Sequence, residues 1–331
     1  MQKQTVAFSK ESTNLFFHIL TRCNLRCGHC YINRTQHGDT TLDIETIEAW
    51  LNIFAPEAAQ TNLVLLGGEP TLHPDLSRAV SIAGKLGFKS ITIDTNGYLF
   101  HNILDKITPE EVDFISFSLD GATRATNDAI RGNGCWEAVM NGIARATARG
   151  FTCSMIYTVS EKNIHELDRM PGLVKDLGIS RFFIQVIGIR GESADTGARH
   201  QVSKETWRTV IPEVAAQIAG HGITVTYPKV FLDRDAPFEC AANVAHNYFV
   251  FPNGRVYQCP ICEDFSLHSY EILDNTLVPR PKINETDLFA LDIPEGCVMN
   301  KMIQPGNLAY TRDGTPCHKI ACCMLKQEVT P

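Results

Sequence analysis

Apolar runs alternate with amphipathic stretches over the first two thirds of the chain. Apolar, strand-like runs lie at residues 14–22, 62–66, 90–94, 113–119, 151–159 and 181–189. Stretches with helical periodicity lie at residues 43–59, 75–87, 101–107, 135–149, 164–178 and 203–219. Near-continuous apolar strands that alternate with helices indicate βα units around a parallel sheet. Six units are too few to close an eight-stranded barrel, so the pattern predicts an α/β fold with a partial, TIM-like (βα)6 barrel.

The alternation stops near residue 222. The segment YFVFPNGRVYQC reads as a β-hairpin with Asn253-Gly254 as its two-residue turn. The remaining sequence is irregular and rich in Pro, Asn and Cys, which suits a small domain that is organised by bound metal. We therefore divide the chain into an N-terminal lead-in (1–13), a barrel (14–222) and a cysteine-rich segment (223–331).

Composition excludes several classes of partner. The formal net charge is −7, so no broad basic field favours nucleic acid or an anionic membrane. No apolar stretch reaches the roughly 18 residues that a transmembrane helix needs. The N-terminal residues contain no apolar run that would act as a signal peptide. We therefore expect a cytoplasmic protein with no nucleic-acid or membrane partner.

Cysteines are numerous and unevenly distributed. The chain has 12, of which three lie in residues 23–30 and seven lie after residue 239. A cytoplasmic protein keeps its thiols reduced, so clustered cysteines in it indicate metal or redox cofactors rather than disulfides.

The first cysteine group occupies the loop after the first predicted strand. Cys23, Cys27 and Cys30 have the spacing CxxxCxxC, and three thiolates on one short loop suit three irons of a 4Fe–4S cluster. The fourth iron then remains open, as a catalytic metal position requires. The alternative is a zinc site that adds His18 or His29 to the three cysteines, although zinc loops favour paired CxxC motifs.

A second motif gives these cysteines a family resemblance. Gly67-Gly68-Glu69-Pro70 directly follows the second predicted strand, and paired glycines allow close approach of the backbone to a ligand. Together with the CxxxCxxC loop, this motif resembles the radical S-adenosylmethionine (SAM) superfamily over roughly residues 14–220. The resemblance implies a partial barrel, a SAM-binding 4Fe–4S cluster and reductive cleavage of SAM to a 5′-deoxyadenosyl radical. It also implies an electron donor such as ferredoxin or flavodoxin.

The resemblance implies SAM contacts at the carboxyl ends of successive strands. The residues that it marks are His29, Tyr31, Gly67, Gly68, Glu69, Pro70, Thr95, Asn96, Ser118, Asp120, Arg131, Asn163 and Ile187. Structural roles are the alternative for four of these residues. Thr95-Asn96-Gly97 also fits an ordinary turn, Asp120 also fits a cap of the following turn, and Asn163 also fits a helix N-cap.

The second cysteine group resembles the start of a SPASM/twitch extension, a module that binds auxiliary iron–sulfur clusters. Thirteen residues separate Cys240 from Gly254, and four more separate Gly254 from Cys259. The later spacing departs from that module, because the chain ends with Cys317, Cys322 and Cys323. We predict one auxiliary cluster held by Cys240, Cys259, Cys317 and Cys322, and leave Cys262, Cys297 and Cys323 unassigned. A second cluster and a zinc site are the alternatives.

The substrate follows less directly from the sequence. Enzymes of this type include peptide maturases, sulfatase maturases and haem-modifying enzymes. Pro260 stands where the resemblance to sulfatase maturases would require an aspartate base, and only thirteen residues precede Asn14, which weakens a leader-dependent peptide maturase. We predict an oxidoreductase or maturase that acts on a peptide or protein side chain. The alternatives are a radical SAM enzyme that acts on a small molecule or tetrapyrrole, and a non-catalytic iron–sulfur electron-transfer protein.

Overall fold

Strands and helices alternate along the computed structural model, which describes residues 3–195 and 200–331. The strands of these residues are β1 (Thr13–Leu20), β2 (Thr61–Gly67), β3 (Ser90–Thr95), β4 (Phe114–Ser118), β5 (Cys153–Val159), β6 (Arg181–Val186), β7 (Thr224–Pro228), β8 (Phe231–Asp233), β9 (His246–Val250), β10 (Arg255–Tyr257), β11 (Tyr270–Leu273), β12 (Thr276–Pro279), β13 (His318–Ile320) and β14 (Lys326–Val329). The α-helices are α1 (Arg34–His37), α2 (Ile44–Ile53), α3 (Leu76–Leu86), α4 (Arg124–Arg131), α5 (Cys135–Ala148), α6 (Met170–Asp176), α7 (Glu192–Asp195), α8 (Lys204–Ala219), α9 (Ala241–Val244), α10 (Thr286–Phe289) and α11 (Val298–Ile303). Short 3₁₀ segments lie at Ala55–Gln60, Pro70–Leu72, Phe100–Asp105, Ile164–Arg169, Cys262–Asp264 and Pro305–Asn307.

Some predicted helices are shorter than their amphipathic patterns. The stretch at residues 43–59 ends as α2 at Ile53, and a 3₁₀ segment with Pro56 in its first turn follows. The stretch at residues 164–178 begins as a 3₁₀ segment, and α6 starts beside Pro171. Proline lacks the N–H that a helix interior uses, so continuous patterns are divided at these residues. None of the described helices is long and apolar enough to cross a membrane.

The main sheet has twelve strands among the described residues, in the order β12-β11-β10-β9-β1-β2-β3-β4-β5-β6-β7-β14. Neighbours from β9 through β1 to β7 are parallel, whereas β10–β12 and β14 are added antiparallel at the two edges. The sheet does not close on itself within this part of the chain. The predicted α/β class and the open barrel are confirmed, but β7 and β9 extend the six expected parallel strands on either side.

Successive residues of the barrel strands face opposite sides of the sheet. In β3, Ile91 and Ile93 belong to the main hydrophobic core, whereas Thr92 and Asp94 line a cavity. In β6, Phe182 and Ile184 belong to the same core, and Gln185 faces the cavity. The inner face of the barrel therefore carries polar side chains that the helices do not cover.

The cysteine-rich segment is continuous with the barrel sheet. Residues Thr13–Phe17 of β1 pair with His246–Val250 of β9, and β14 pairs with β7. A ladder of buried amides crosses this junction, because Asn14 Nδ2 donates to Asn247 Oδ1 (2.9 Å) and Asn62 Nδ2 donates to Asn14 Oδ1 (3.2 Å). The sheet thus continues across the boundary that we predict at residue 222, and residues 223–331 add strands at both of its edges.

The predicted hairpin forms between β9 and β10, with a different turn. The Gly254 N–H donates to the Phe251 carbonyl over 3.0 Å, so Pro252 and Asn253 are the central residues. Gly254 follows them with a φ of 83°, a left-handed conformation that favours glycine. The hairpin was expected, but the turn residues lie one position earlier, with the glycine after the turn.

Candidate functional site

A cavity of about 330 Å³ lies on the inner side of the barrel and is lined by the loops that follow the parallel strands. This volume lies in the range of ligand-binding pockets. The lining includes the first cysteine loop, the ends of β2, β3 and β4, and residues of the lead-in and of the C-terminal segment. Segments far apart in the chain therefore meet at the carboxyl ends of the strands, where barrel enzymes bind their ligands.

Cys23, Cys27 and Cys30 all line this cavity. The loop is held by backbone hydrogen bonds, from Cys30 N to Cys27 O and from Gly28 N to Ile130 O, both of 3.1 Å. Burial raises the pKa of Cys23 to about 11 and that of Cys27 to about 12, and it also raises the pKa of Cys30. Three partly buried thiols with raised pKa values in one cavity become thiolates where a metal compensates their charge, so this donor set fits an iron–sulfur cluster.

The arrangement does not suit the zinc alternative. His18 Nδ1 lies 2.9 Å from Val250 O and its Nε2 lies 2.8 Å from Tyr31 Oη, so both ring nitrogens are engaged. His29 Nε2 instead lies 3.1 Å from Asp120 Oδ2. Among the described residues, the three sulfurs do not come together within 4.8 Å. A single zinc ion with tetrahedral bonds of about 2.3 Å would hold them roughly 3.8 Å apart.

Gly67 and Gly68 fit directly against the cysteine loop. Gly68 N donates to Leu20 O and Glu69 N donates to Arg22 O, both over 3.0 Å. A Cβ atom on Gly67 would lie 2.3 Å from Leu20 O, and one on Gly68 would lie 2.2 Å from Arg22 O. Both glycines line the cavity. Because the two backbones are in direct contact here, neither position has room for a side chain, whether or not a ligand is bound.

Glu69 is fully buried at the start of the Pro70–Leu72 turn. Its Oε1 accepts from Thr71 N (3.1 Å), Thr71 Oγ1 (2.6 Å) and Thr95 Oγ1 (2.8 Å), and its Oε2 accepts from Asn96 N (2.7 Å). Burial nevertheless raises the pKa of this carboxyl. The hydrogen bonds fix Glu69 and tie the end of β2 to the Thr95-Asn96 turn after β3.

Asp120, Arg131 and His29 form a buried network beside the cysteine loop. Arg131 Nε lies 2.6 Å from Asp120 Oδ2, and Asp120 Oδ1 accepts from Thr158 N over 2.7 Å. Burial alone would raise the pKa of Asp120, but Arg131 and His29 outweigh it and lower the pKa to about 2. Asp120 is therefore charged and orients two side chains that reach the cavity.

The cavity brings together most of the residues that the resemblance marks for SAM. Those that line it are His29, Tyr31, Gly67, Gly68, Glu69, Thr95, Asn96, Ser118, Arg131 and Ile187. Pro70, Asp120 and Asn163 lie behind this lining. Asn163 does not cap the following helical segment with its side chain, but donates to Thr158 O and Asp120 O over 2.8 and 3.0 Å. It fixes the loop after β5 from behind the cavity wall.

A second, smaller cavity lies in the C-terminal segment and is lined by Cys240, Cys259, Cys297 and Cys322. Phe238, Leu288, Phe289, Met299 and Met324 provide its apolar walls. Burial, together with neighbouring thiols, raises the pKa of Cys240 to about 11 and that of Cys297 to about 12. Four thiols around one apolar space, three of them buried and that of Cys240 partly buried, match the ligand number of an all-cysteine cluster.

Cys317, which we predict as a ligand, does not join this group. It is exposed, and its N–H donates to Ala309 O over 2.8 Å in the turn before β13. Cys297 occupies the fourth position instead. Cys322 lines the small cavity, whereas the adjacent Cys323 lines the large one. Sequence spacing alone did not distinguish these thiols.

Cys262 lies beside Cys259, and together with Glu285 they form a compact group within 4.8 Å. The Glu285 carboxylate already accepts from Gln258 N, Cys259 N and Ser269 N over 2.7, 3.0 and 2.9 Å. Burial raises its pKa to about 7. Glu285 therefore organises the backbone around Cys259.

Several cavity residues were not singled out from the sequence. They are Phe8 of the lead-in, Asp94, Ser116 and Gln185 of the barrel strands, and Arg190, Glu263 and Lys326 of later segments. For the strand residues a signal existed, since Thr92 and Asp94 alternate with isoleucines in β3. For the later residues no local pattern marked a position at the cavity.

Two carboxyls of this lining are suited to proton exchange. Burial raises the pKa of Asp94 to about 7, although a hydrogen bond with Ser116 opposes the shift. Burial also raises the pKa of Glu263 to about 7, against the effect of Arg190, whose Nη1 donates to Glu263 Oε2 over 2.7 Å. Each carboxyl is therefore able to hold or release a proton near neutral pH.

Known proteins resemble this chain in both sequence and fold. Pre-heme d1 synthase of Dinoroseobacter shibae is 29% identical over 252 residues, which cover 70% of this chain and 60% of that protein. The PqqA peptide cyclase of Gluconobacter oxydans is 26% identical over 276 residues, which cover 81% and 73%. The structure of SuiB of Streptococcus suis bound to S-adenosylmethionine superposes with a TM-score of 0.62 at 15% identity, over 89% of this chain and 66% of that one. The last similarity shows the fold.

The family model of the radical SAM superfamily matches residues 17–174. These residues run from β1 into α6 and include the cysteine loop, the Gly67-Gly68-Glu69-Pro70 segment and the Asp120 network. Residues 17–174 therefore form a radical SAM domain, and the resemblance stated from the cysteine loop and the Gly67-Gly68-Glu69-Pro70 segment is confirmed for this part of the chain.

Proposed function

We propose that this protein is a radical SAM enzyme that abstracts hydrogen from a substrate, most simply from a peptide or protein side chain. The observation that carries the proposal is the convergence of Cys23, Cys27, Cys30 and Glu69 on one wall of the large cavity. When bound, the 4Fe–4S cluster supplies the electron that cleaves SAM to methionine and a 5′-deoxyadenosyl radical. Ferredoxin or flavodoxin is the proposed source of that electron.

The chain's own residues would hold the cluster and orient SAM. The three thiolates bind iron, and the contact of Gly67 and Gly68 with Leu20 and Arg22 fixes the loop against the end of β2. Glu69 presents a carboxylate beside the cluster loop, where it suits the amino group of SAM. Asp120 keeps Arg131 and His29 oriented toward the cavity.

We further propose one auxiliary iron–sulfur cluster with Cys240, Cys259, Cys297 and Cys322 as its ligands. The four thiols share a small apolar cavity, and Cys317 lies outside it. Residues 223–331 would then form the auxiliary-cluster segment. Because Cys322 and Cys323 are adjacent, this cluster would border the wall of the large cavity.

Amide side chains in the cavity lining favour a peptide substrate. Asn300, Gln304 and Asn307 line it together with Gln201, and Asn307 Nδ2 donates to Gln304 Oε1 over 3.1 Å. Primary amides donate and accept as peptide groups do, so they are suited to bind a peptide backbone. The name of the PqqA peptide cyclase points in the same direction, whereas that of pre-heme d1 synthase points to a tetrapyrrole.

The proposal is tested by anaerobic reconstitution with iron and sulfide, followed by reduction in the presence of SAM. We expect 5′-deoxyadenosine from the wild type and none from the variant Cys23→Ala/Cys27→Ala/Cys30→Ala. Cys317→Ala is the matched control, since this thiol is exposed and lines neither cavity. A wild type that carries its full iron but forms no 5′-deoxyadenosine would favour the electron-transfer alternative. Transfer of deuterium from a labelled peptide or labelled small molecule to 5′-deoxyadenosine then identifies the substrate class.

A further inference from the structure

The ammonium group of Lys326 lies in the wall of the large cavity, at the start of β14. Its Nζ donates to Gln185 Oε1 over 2.7 Å and lies 5.2 Å from the centre of the Phe8 ring. A lysine ammonium has three N–H groups. Within residues 3–195 and 200–331, Gln185 is the one protein acceptor for them, so two donors remain available.

Lys326 also lacks a close counter-charge. In the described part of the chain, no carboxylate oxygen lies within the 4.0 Å of an ion pair with its Nζ. Arg190, another cation of the cavity lining, is by contrast paired with Glu263 at 2.7 Å. Burial lowers the pKa of Lys326 to about 8, although Cys323, Cys322 and Asp94 oppose the shift. A partly buried cation without a paired anion is unfavourable, and an anionic ligand would relieve this.

We propose that Lys326 and Gln185 form a binding site for a carboxylate group of the substrate. This inference rests on the proposed function, because it concerns the same cavity. Gln185 Oε1 accepts from Lys326, which leaves the Gln185 amide nitrogen as a second donor on the same wall. A carboxylate has two oxygens and is able to accept from both groups at once.

Other residues of the cavity lining indicate the chemical character of the rest of such a substrate. Phe16 and Phe249 are stacked with ring centres 4.6 Å apart, and both line the cavity together with Phe8. Asp94, on β3, also lines the cavity and would repel a second carboxylate that came close to it. The geometry therefore suits an apolar group that presents one of its carboxylates to Lys326. An acidic residue of a peptide and a propionate of a tetrapyrrole share this chemistry.

The experiment compares acids with uncharged analogues on the SAM-loaded holoenzyme. One pair is acetyl-Phe-Glu-Gly-amide and acetyl-Phe-Gln-Gly-amide, and the other is coproporphyrin III and its tetramethyl ester. Isothermal titration calorimetry gives the affinities. In at least one pair we expect the acid to bind about tenfold more tightly than its analogue, as a charge-assisted hydrogen bond in a partly buried site predicts. The pair that responds identifies the source of the carboxylate.

Variants assign the preference to Lys326. Lys326→Met and Lys326→Gln should bring the ratio of affinities close to one, and Lys326→Arg should retain part of it. Lys319→Met is the matched control, because Lys319 is also partly buried but donates to Ala236 O and lines neither cavity. Iron content and circular dichroism of each variant verify its folding.

Two outcomes would overturn the inference. One is a preference for the acid that survives in both Lys326→Met and Lys326→Gln, and the other is the absence of any preference in the wild type. The proposed function is judged separately, by the formation of 5′-deoxyadenosine without either probe. A wild type that cleaves SAM but shows no preference would refute the carboxylate site alone. A Lys326-dependent preference without SAM cleavage would refute the proposed function and leave the carboxylate site in place.

Discussion

Asp120 shows how one residue acts on a site that it does not line. It is fully buried behind the cavity wall, and it holds Arg131 at 2.6 Å and His29 at 3.1 Å. The resemblance marks Asp120 for a contact with SAM, and a cap of the following turn is the alternative. The structure instead has the carboxylate between two side chains that reach the cavity and the backbone of Thr158. Its effect on a ligand would be indirect, through Arg131 and His29.

Replacement of Asp120 by asparagine should destabilise the protein strongly. Arg131 is 8% exposed, so removal of its partner leaves a buried and uncompensated charge, which typically costs about 3 kcal/mol. Urea-induced unfolding, followed anaerobically by circular dichroism, measures this loss. Asp105→Asn is the control, because Asp105 pairs with Arg149 at the surface and should contribute less than about 1 kcal/mol.

The pH dependence of this loss follows from the lowered pKa of Asp120, about 2. A carboxyl with a lowered folded-state pKa stabilises the protein fully above its unfolded-state pKa of about 3.9, and this contribution disappears as the pH falls toward the folded-state value. The difference between wild type and Asp120→Asn should therefore be constant from about pH 6 to about pH 8. A difference that vanished within this range would contradict the charged state of Asp120.

At the scale of elements, the sequence predicted which loops follow strands, but it did not predict that two of these loops contact each other. The CxxxCxxC loop and the Gly67-Gly68-Glu69-Pro70 segment both follow strands, as the pattern indicates. That the two segments contact each other through their backbones is a result of the parallel pairing of β1 with β2, which aligns their carboxyl ends. The glycines were expected for a ligand, and the structure adds the need for space beside Leu20 and Arg22.

The cysteines of the C-terminal segment lead to a testable prediction about iron content. Cys297→Ser should reduce the iron content by about four per chain, since it removes a ligand of the proposed auxiliary cluster. Cys317→Ser should leave the iron content unchanged, because Cys317 is exposed and outside the group. Iron and sulfide analysis of the anaerobically reconstituted variants checks both. A loss of iron in Cys317→Ser and none in Cys297→Ser would instead support the ligand set that we predict from sequence spacing.

At the scale of the whole molecule, the barrel and the cysteine-rich segment form one sheet. The ladder of Asn247, Asn14 and Asn62 joins β9, β1 and β2 at one level, and Ser90 Oγ extends it to β3 by a bond of 2.9 Å to Asn62 Oδ1. These amides are all buried, so each depends on the others for its hydrogen bonds. The ladder links residues that are more than 200 positions apart.

Asn14→Ala should therefore destabilise the barrel and the cysteine-rich segment together. Its loss leaves groups on Asn247 and Asn62 without their partner, at a cost of about 2 kcal/mol or more. Urea unfolding monitored by circular dichroism and by the iron–sulfur absorbance should show a single transition that moves to lower urea. Asn52→Ala is the control, because the Asn52 side chain is exposed. Two separate transitions in the variant would indicate that the segments fold independently.

The sequence by itself determined the strands, their parallel arrangement and the loop that carries the first three cysteines. These features depend on residues that are neighbours along the chain, so local periodicity and spacing record them. The tertiary structure decided which thiols share a cavity, since Cys297 joins Cys240 and Cys317 does not. It also decided that Lys326 meets Gln185 across 141 positions. Such pairs depend on strand register and on where a distant segment returns to the sheet, and no local pattern contains that information.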